Sequence, residues 1–489
     1  MKQPGNISPI DPRGPLDTSS PPDPGGRQDP QSPRDPNGAG GPRDPSSSRD
    51  SARNPGTVPS RFDAIVVGGG PAGLSAAYIM SGAGLNVACL ERGDWSGSKN
   101  MMGGVIFSRP AGTVVPDFWK EAPLERHVTR REMWLATADS AIKASFETTD
   151  FAREPYNSFT VYRSRFDKWL AAQAAAQGAY MVTETLVEGL LWEGGRVIGV
   201  RTDRPQGDLE ADVVLLAEGV NSFLTEKAGL GPGPEPQSLA LAVKEVLALP
   251  REKIEDRFDL ETGAGASVEI VGETTGRLPG TGFIYTNRDT ISIGVGVLLN
   301  RLIESDAEAY TILEQFKQQP QVRRLIQGAS VREYAAHLIP EGGYCKMPRL
   351  FGDGVLVAGD CAGMVNAINS EGANLAMLSG RMAAETIIEC HREGCGFDGP
   401  SLKRYRDRLE KSLVLKDLKK YEGATPFLQK HQEIFNLYPE LLAALAREFF
   451  TVDDLSKADK ERLLMRLFRS QVPVREVLKM AYDAWRSLV

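Results

Sequence analysis

The spacing of hydrophobic and polar positions changes along the chain, and each change marks a predicted element. Short apolar runs typical of buried strands occur at residues 62–67, 86–90, 211–216 and 355–357. Residues 74–82 predict a helix rich in small side chains. Strands and helices alternate to about residue 235, a strand-rich region follows, and the strand at 355–357 restores the first pattern. We therefore predict an α/β fold with an inserted second domain.

The two ends of the chain differ from this middle part. Residues 1–60 are rich in Pro, Gly, Ser, Asp and Arg and contain almost no aliphatic side chains, so burial cannot offset the entropy of ordering them. We predict a disordered arm there. After about residue 399 the pattern is mainly helical, with breaks at Pro426, Pro439 and Pro473.

A glycine-rich turn follows the first predicted strand directly. Its residues are Gly68, Gly69, Gly70, Pro71, Ala72 and Gly73. Gly68 permits a tight turn, Gly70 lets the backbone approach a pyrophosphate, and Gly73 lets the next helix pack close to the strand. The strand at 86–90 ends at Glu91, whose carboxylate can accept ribose hydroxyls and would repel a 2′-phosphate. This order predicts a dinucleotide-binding βαβ unit and leaves FAD and NAD open.

Three later segments favour FAD. Residues 211–219 form a strand that ends with Ala217 and turns at Gly219, and resemble the segment that FAD proteins place beside the pyrophosphate. Residues 354–363, with Gly359, Asp360 and Gly363, resemble a second FAD fingerprint whose aspartate binds the ribityl chain. A helix predicted from about residue 370 would direct its positive N-terminus towards the flavin edge that becomes anionic on reduction.

The amino-acid composition limits the kinds of partner and the compartment that we expect for this protein. The formal net charge of −7 and a pI near 5.5 argue against nucleic-acid binding. The five cysteines are scattered without a CxxC, which predicts a reducing, cytoplasmic compartment and no metal site. No run is long and apolar enough to cross a bilayer and no secretory signal is recognisable, so we expect any membrane contact to be peripheral, on the inner face of the cell membrane.

From residue 62 to the end, these motifs resemble the family of electron transfer flavoprotein:quinone oxidoreductases, FixC proteins and geranylgeranyl reductases. Residues 99–106 resemble its segment beside the isoalloxazine, and residues 163–170 its flavin-side helix start. Segments that look specifically FixC-like are residues 282–287, 414–421 and 434–439. The chain departs from the single-chain quinone oxidoreductases because no cysteine follows Cys395, so we expect no iron–sulfur cluster in it.

The resemblance implies a Rossmann-type FAD-binding domain like that of glutathione reductase and p-hydroxybenzoate hydroxylase. An α+β substrate domain is inserted into it, and a helical C-terminal region follows. We predict the arm at 1–60, the first FAD-binding part with β insertions at 61–235 and the substrate or quinone domain at 236–339. The second FAD-binding part is predicted at 340–398, and a region that docks a partner or membrane at 399–489.

The predicted site residues fall into two groups, and the chemistry itself is expected on FAD rather than on a catalytic side chain. The cofactor-binding candidates are Gly68, Gly70, Pro71, Ala72, Gly73, Glu91, Arg92, Arg163, Ala217, Gly219, Gly359, Asp360, Gly363, Gly372, Ala373 and Asn374. The flavin-side candidates are Lys99, Asn100, Met101, Gly103, Gly104, Glu371, Gly372 and Asn374.

The resemblance implies electron transfer from a two-subunit electron transfer flavoprotein through FAD to quinone, together with a separate ferredoxin-like subunit, and electron bifurcation stays open. Residues 280–299 read as a hairpin that either walls the apolar substrate cavity or forms ordinary sheet core. Residues 401–420 carry eight basic and three acidic residues, which suits an acidic ferredoxin or anionic lipid, although a solvated helix is commoner. We predict structural roles for the four histidines.

Other functions remain as alternatives. A prenyl reductase of the geranylgeranyl type needs the same apolar cavity as a quinone oxidoreductase. A flavin monooxygenase would need access for reduced nicotinamide, and no second complete GxGxxG is present. From other classes, the chain could be a non-catalytic assembly subunit with structural FAD or an RNA-modifying flavoprotein, and its acidic balance weighs against the latter.

Overall fold

The computed structural model describes residues 61–100 and 104–488. The arm predicted at 1–60 lies outside the described residues. In chain order, the strands are β1 Arg61–Val67, β2 Val87–Leu90, β3 Gly104–Phe107, β4 Leu124–Ala136, β5 Ala141–Glu147, β6 Ser158–Val161, β7 Tyr180–Val182, β8 Val187–Glu193, β9 Arg196–Thr202, β10 Leu209–Leu216, β11 Leu239–Ala248, β12 Ala264–Gly272, β13 Gly280–Thr286, β14 Thr290–Leu298, β15 Ser330–Pro340, β16 Phe351–Gly352 and β17 Val355–Val357.

The helices divide between the two sheets and the C-terminal region. They are α1 Pro71–Gly82, α2 Ser108–Gly112, α3 Arg163–Ala176, α4 Phe223–Lys227, α5 Arg251–Phe258, α6 Leu299–Glu304, α7 Ala309–Gln318, α8 Pro320–Ile326, α9 Ala373–Glu393, α10 Gly399–Lys411, α11 Leu413–Lys420, α12 Ala424–Lys430, α13 Leu437–Phe450, α14 Lys457–Gln471 and α15 Val474–Leu488.

The first sheet is the dinucleotide-binding layer. Strands β17, β10, β1, β2 and β7 lie side by side and parallel. Strand β16 pairs antiparallel with β17, and β9 of the β8–β9 hairpin pairs antiparallel with β10. The apolar runs that predicted strands at 62–67, 86–90, 211–216 and 355–357 correspond to β1, β2, β10 and β17, so these predictions are confirmed. Their side chains are buried in one core with α1, α3 and α9 and with Val187, Val197 and Val200 of the β8–β9 hairpin.

The second sheet is mixed and consists, among the described residues, of β15, β11, β14, β13, β12, β4, β6 and β3 in that order, with β5 beside β4. Its β3 to β6 come from the chain segment between β2 and β7, far from the rest in sequence. The predicted hairpin at 280–299 is confirmed as β13 and β14, which pair antiparallel. One face packs on α5, α7 and α8, and the other faces a cavity.

Helix α9 packs directly on α1 in the first layer. A Cβ atom built on Gly380 would lie 2.0 Å from the Ala72 carbonyl oxygen, so α9 crosses α1 at very close range. In α10, Tyr405 is fully buried and donates a hydrogen bond from its hydroxyl to the Val357 carbonyl, 3.0 Å away, which fixes the start of the C-terminal region on β17. The fold is therefore α/β with an inserted second sheet and a helical C-terminal region, as predicted.

The C-terminal helices begin near the predicted breaks. Pro426 lies in the first turn of α12, Pro439 in the first turn of α13, and Pro473 directly before α15, where a missing backbone N–H costs no helical hydrogen bond. Among the described residues, no helix combines the length and the apolar character needed to span a bilayer.

Candidate functional site

The glycine-rich turn between β1 and α1 is closed by contacts that exclude side chains. Gly68 has φ +108° and donates its N–H to the Leu90 carbonyl, 2.8 Å away. A Cβ there would lie 2.2 Å from the Ala217 oxygen, and a Cβ on Gly73 would lie 2.0 Å from the Gly68 oxygen. Glycine is therefore required at both positions, because backbone atoms cannot yield as a flexible side chain can.

Gly70 differs from these two glycines. A Cβ built on it meets no atom within 4 Å, because it faces the open cavity. Gly70 is also the N-cap of α1, and no side chain caps the helix, so the first amides of α1 remain available to an anion. The space and the free N–H groups fit a pyrophosphate.

Glu91, at the end of β2, is held by two backbone amides. Its Oε2 accepts from the Gly69 N–H at 2.9 Å and its Oε1 from the Gly93 N–H at 2.7 Å. The carboxylate lines the cavity, and each oxygen retains a lone pair for a ligand hydroxyl. This geometry suits the ribose contact predicted for Glu91.

Arg163 and Asp360 face the cavity from different elements. Arg163 begins α3, and its Nε and one Nη each donate to an Asp167 carboxylate oxygen at 2.8 Å. Asp167 is fully buried and orients the guanidinium. Asp360 lies in the short 3-10 turn Gly359–Ala362. Burial raises the pKa of the Asp360 carboxyl, and the Arg163 charge offsets part of that rise.

The N-terminus of α9 points its amides at the same cavity. Gly372 is the N-cap, no side chain caps the helix, and Gly372 and Ala373 line the cavity. Asn374 is buried and its Oδ1 accepts from the Phe107 N–H at 3.2 Å, which ties α9 to β3. Asn366, in the preceding loop, also lines the cavity, and its buried Nδ2 has no partner among the described residues. Such an orphaned donor fits a bound group with acceptor atoms.

One cavity of about 1170 Å³ connects these features. It is lined by the predicted residues Gly68, Gly70, Pro71, Ala72, Glu91, Arg92, Lys99, Asn100, Gly104, Arg163, Ala217, Gly219, Gly359, Asp360, Gly372 and Ala373. Gly73, Gly363, Glu371 and Asn374 are not in its wall. Met101 and Gly103 lie outside the described residues. The cofactor and flavin-side roles of all these residues stay predictions.

The cavity continues past the dinucleotide turn to an apolar end. Its wall there includes Pro279, Leu298, Ile339, Leu428, Ile434 and Phe435. Apolar residues of the second sheet and of the C-terminal region therefore meet at one place. The sequence carried two signals for this part. Residues 280–299, which include Leu298, were expected either to wall the apolar substrate cavity or to form sheet core, and residues 434–439 look FixC-like without indicating a position.

Titratable groups of the second sheet also reach the cavity. They are Lys244 on β11, Glu269 on β12, Tyr285 on β13, His337 on β15 and Glu341 just after β15. Burial lowers the pKa of Lys244 to about 8 and that of His337 to about 4, with nearby cationic groups contributing, and raises the pKa of Glu341 to about 8. A charged residue in the apolar run 239–249 was an available signal for Lys244. The structural role predicted for His337 stays open.

The hairpin β13–β14 contributes both to the sheet core and to the cavity wall, the two roles considered for it from the sequence. Ile284, Ile291, Ile293 and Val295 are fully buried in the core beneath the second sheet. Tyr285 points the other way and lines the cavity, with Phe283 stacked on it at a centroid distance of 5.2 Å. Alternation along the strand therefore sends neighbouring residues to the core and to the cavity wall.

Two of the eight basic residues at 401–420 pair with acidic residues of α9. Arg404 pairs with Glu389 at 3.3 Å and Glu393 at 2.6 Å, and Arg408 pairs with Glu385 and Glu389. These pairs place acidic side chains of α9 against basic side chains of α10. Part of the local charge excess therefore holds α10 on α9.

Comparison with known proteins identifies the family. A model of the ETF-QO/FixC family C-terminal domain matches residues 424–488, and a model of an FAD binding domain matches residues 61–255. Protein FixC of Azorhizobium caulinodans is 43% identical over 431 residues, which cover 88% of this chain and 98% of that protein. The probable electron transfer flavoprotein-quinone oxidoreductase YdiS of Escherichia coli is 39% identical over 414 residues, or 83% of this chain and 94% of that protein.

Solved structures show the same fold at lower identity. A geranylgeranyl bacteriochlorophyll reductase-like protein from Thermoplasma acidophilum has a TM-score of 0.66 at 18% identity and covers 86% of this chain and 99% of its own. The family resemblance seen in the motifs is confirmed by the relatives and by the match at 424–488. The chain belongs to the ETF-QO/FixC family and is an FAD-dependent oxidoreductase.

Proposed function

We propose that this protein transfers electrons from an electron transfer flavoprotein, through FAD, to a membrane quinone. The observation that carries the proposal is the single cavity that joins the dinucleotide turn to an apolar end beside the C-terminal helices. A cofactor at one end and an apolar ring with a long tail at the other would share this space. The names of the similar proteins point to the same donor and acceptor classes.

The residues around the turn would hold FAD in an extended conformation. The α1 amides at Gly70 would bind the pyrophosphate, Glu91 the adenosine ribose and Asp360 the ribityl chain. The α9 amides at Gly372 would face the pyrimidine edge of the flavin, where their dipole favours added negative charge. FAD supplies the ability to accept and release electrons singly or in pairs, and the protein supplies its placement and field.

The direct test is a pair of half-reactions under anaerobic conditions. Purified protein should be bleached at its flavin absorbance by reduced electron transfer flavoprotein and reoxidised by a short-chain ubiquinone or menaquinone analogue. If neither half-reaction occurs and a geranylgeranyl substrate oxidises the reduced protein instead, the protein is a prenyl reductase and the proposal is wrong. A protein that retains FAD but is inert in all three reactions would be a structural subunit.

The iron–sulfur cluster of the reaction would come from a separate ferredoxin-like subunit, because no cysteine follows Cys395. Helix α15 offers a docking face. Leu478, Tyr482 and Trp485 are 65%, 57% and 62% exposed and follow one another at helical spacing. Helices α14 and α15 together carry eight basic and four acidic residues, which suits an acidic partner. The complex would bind peripherally to the inner face of the cell membrane. Electron bifurcation would need a second electron acceptor besides quinone.

Trp485→Ala should weaken binding of the ferredoxin-like subunit at least about tenfold, because exposed aromatic anchors dominate such interfaces. The measurement is a titration of the purified FAD protein with that subunit. Trp192→Ala on β8, where the side chain is 48% exposed, is the matched control and should bind as the wild type does. Unchanged binding by the Trp485 variant, or binding of anionic vesicles through this face instead of the subunit, would contradict the assignment.

A further inference from the structure

Glu341 occupies a fixed position at the apolar end of the cavity. It follows β15 directly, and its N–H donates to the Ser238 carbonyl at 2.7 Å. The hydroxyl of Thr425, on α12, donates to the Glu341 carbonyl at 2.7 Å. These two bonds attach its backbone to the start of β11 and to the C-terminal helices. The backbone at Glu341 is therefore held from both sides, which anchors the residue in the cavity wall.

The part of the cavity wall next to Glu341 in the fold is mainly apolar. Ile339, Leu298 and Leu428 line the cavity, Ile339 and Leu298 both pair with Ala240 of β11, and Leu428 lies one helical turn after Thr425, which binds the Glu341 carbonyl. Within residues 61–100 and 104–488, no side chain donates a hydrogen bond to the Glu341 carboxylate or forms an ion pair with it. A carboxyl open to an apolar cavity and lacking a cation is more stable with its proton than without it.

The charged groups on neighbouring elements do not alter this state. On the cavity face, His337 lies four residues earlier on β15 and Lys244 lies farther along β11. On α12, Lys430 is paired with Asp483, and in the segment after β15, Lys346 is paired with Glu235. Glu422, before α12, faces Cys345. Burial alone raises the pKa of Glu341 to about 8, so the carboxyl carries a proton at neutral pH.

Reduction of a quinone consumes two electrons and two protons, and one new O–H bond forms on each carbonyl oxygen. An acid that already lies in the cavity wall can protonate a bound quinone directly, because its proton need not diffuse in from solvent. We propose that Glu341 is the catalytic acid that protonates the bound quinone, an inference that rests on the proposed function. The Glu341 O–H bond breaks as the quinone O–H bond forms, and the electrons come from reduced FAD. Bulk solvent supplies the second quinone proton and reprotonates Glu341, and it takes up the protons that reduced FAD releases as it is oxidised.

Because of its position, Glu341 can be tested for proton donation separately from electron transfer by FAD. The carboxyl lies at the apolar end, whereas the residues predicted to hold FAD lie around the glycine turn and the α9 N-terminus. A substitution at Glu341 therefore changes proton supply and leaves the cofactor contacts intact. Glu341→Gln keeps the shape and removes the acidic proton, so it is the conservative variant for the test.

The test compares two acceptors on the intact FAD protein, reduced chemically so that no partner is needed. Glu341→Gln should reduce a short-chain ubiquinone on the order of 100-fold more slowly than wild type at pH 7. It should reduce ferricyanide at the wild-type rate, because ferricyanide takes electrons without protons. The wild-type quinone rate should fall as the pH rises through about 8, as the Glu341 carboxyl ionises, and the variant should lose this dependence.

The control variant is Glu422→Gln, at an exposed glutamate near the same segment, which should match the wild type with both acceptors. Wild-type quinone rates and an unchanged pH profile in Glu341→Gln would overturn the assignment, and so would an equal loss with ferricyanide. If wild-type protein reduces ferricyanide but no quinone, the proposed function itself fails and the role of Glu341 fails with it. A loss of quinone reduction that occurs only in Glu341→Gln cannot arise from a failure of the proposed function, because the wild-type protein then still reduces quinone.

Discussion

Gly70→Ala should yield a folded protein that has lost most of its FAD. The added methyl group meets no protein atom within 4 Å, so the apo fold is not disturbed. It enters the space at the N-terminus of α1 through which a pyrophosphate must approach the amides, so we expect FAD affinity to fall at least about tenfold. The ratio of flavin to protein absorbance after gel filtration, followed by FAD titration of the apo-protein, measures the effect.

Gly82→Ala is the matched control, because it adds the same methyl group at the other end of α1. There the new Cβ would lie 3.1 Å from the Gln177 Oε1, the end of a flexible side chain that can move. FAD content should stay at the wild-type level. Stability must be compared in the apo forms, since bound FAD itself stabilises the fold. An apo Gly70→Ala protein that melts well below wild type, or one that keeps its FAD, would contradict the proposed pyrophosphate site.

Arg126→Met should destabilise the second sheet by about 3–5 kcal/mol. Arg126 is only 1% exposed. Its guanidinium donates to the Glu255 carboxylate at 2.8 Å and to the carbonyls of Asn287, Ala264 and Arg288 at 2.6, 3.0 and 2.9 Å. Methionine fills a similar volume but leaves these acceptors without a donor. Urea unfolding followed by circular dichroism measures the change in the free energy of unfolding.

Arg251→Met is the control for Arg126 because both arginines contact the same Glu255 oxygen. Arg251 donates from Nε at 3.1 Å, but its side chain is half exposed, so water replaces the lost bond. We expect a change of no more than about 1 kcal/mol. Equal losses for the two variants would show that burial does not set the strength of this network, contrary to our reading of Arg126.

Local chemistry made the dinucleotide half of the protein predictable. The runs at 62–67, 86–90, 211–216 and 355–357 are mainly apolar at successive positions, which is typical of strands covered on both faces, and all four are strands of the first sheet. Gly68 and Gly73 could be assigned to a tight turn because the backbone conformation and the close approach that they require are specific to glycine. The resemblance added the family and the FAD fingerprint at Asp360.

The strands that make up the second sheet could not be predicted in the same way. Strands β3 to β6 lie between β2 and β7 in sequence, yet they pair in the other sheet, and β4 lies beside β12, more than a hundred residues later. Pairing over that distance leaves no local pattern in the chain. The direction of Asn374 was equally hidden, because a residue in the first turn of α9 reaches Phe107 only once β3 has been placed.

The sequence by itself determined the βαβ unit, the positions of its glycines and of Glu91, and membership in a flavoprotein family, because each depends on residues close together in the chain. Only the tertiary structure decided that one cavity runs from Gly70 to the apolar end and that Lys244, His337 and Glu341 line it. The physical reason is that burial, which sets the protonation of these groups, arises from β11, β15 and α12 meeting, and no segment carries that information alone.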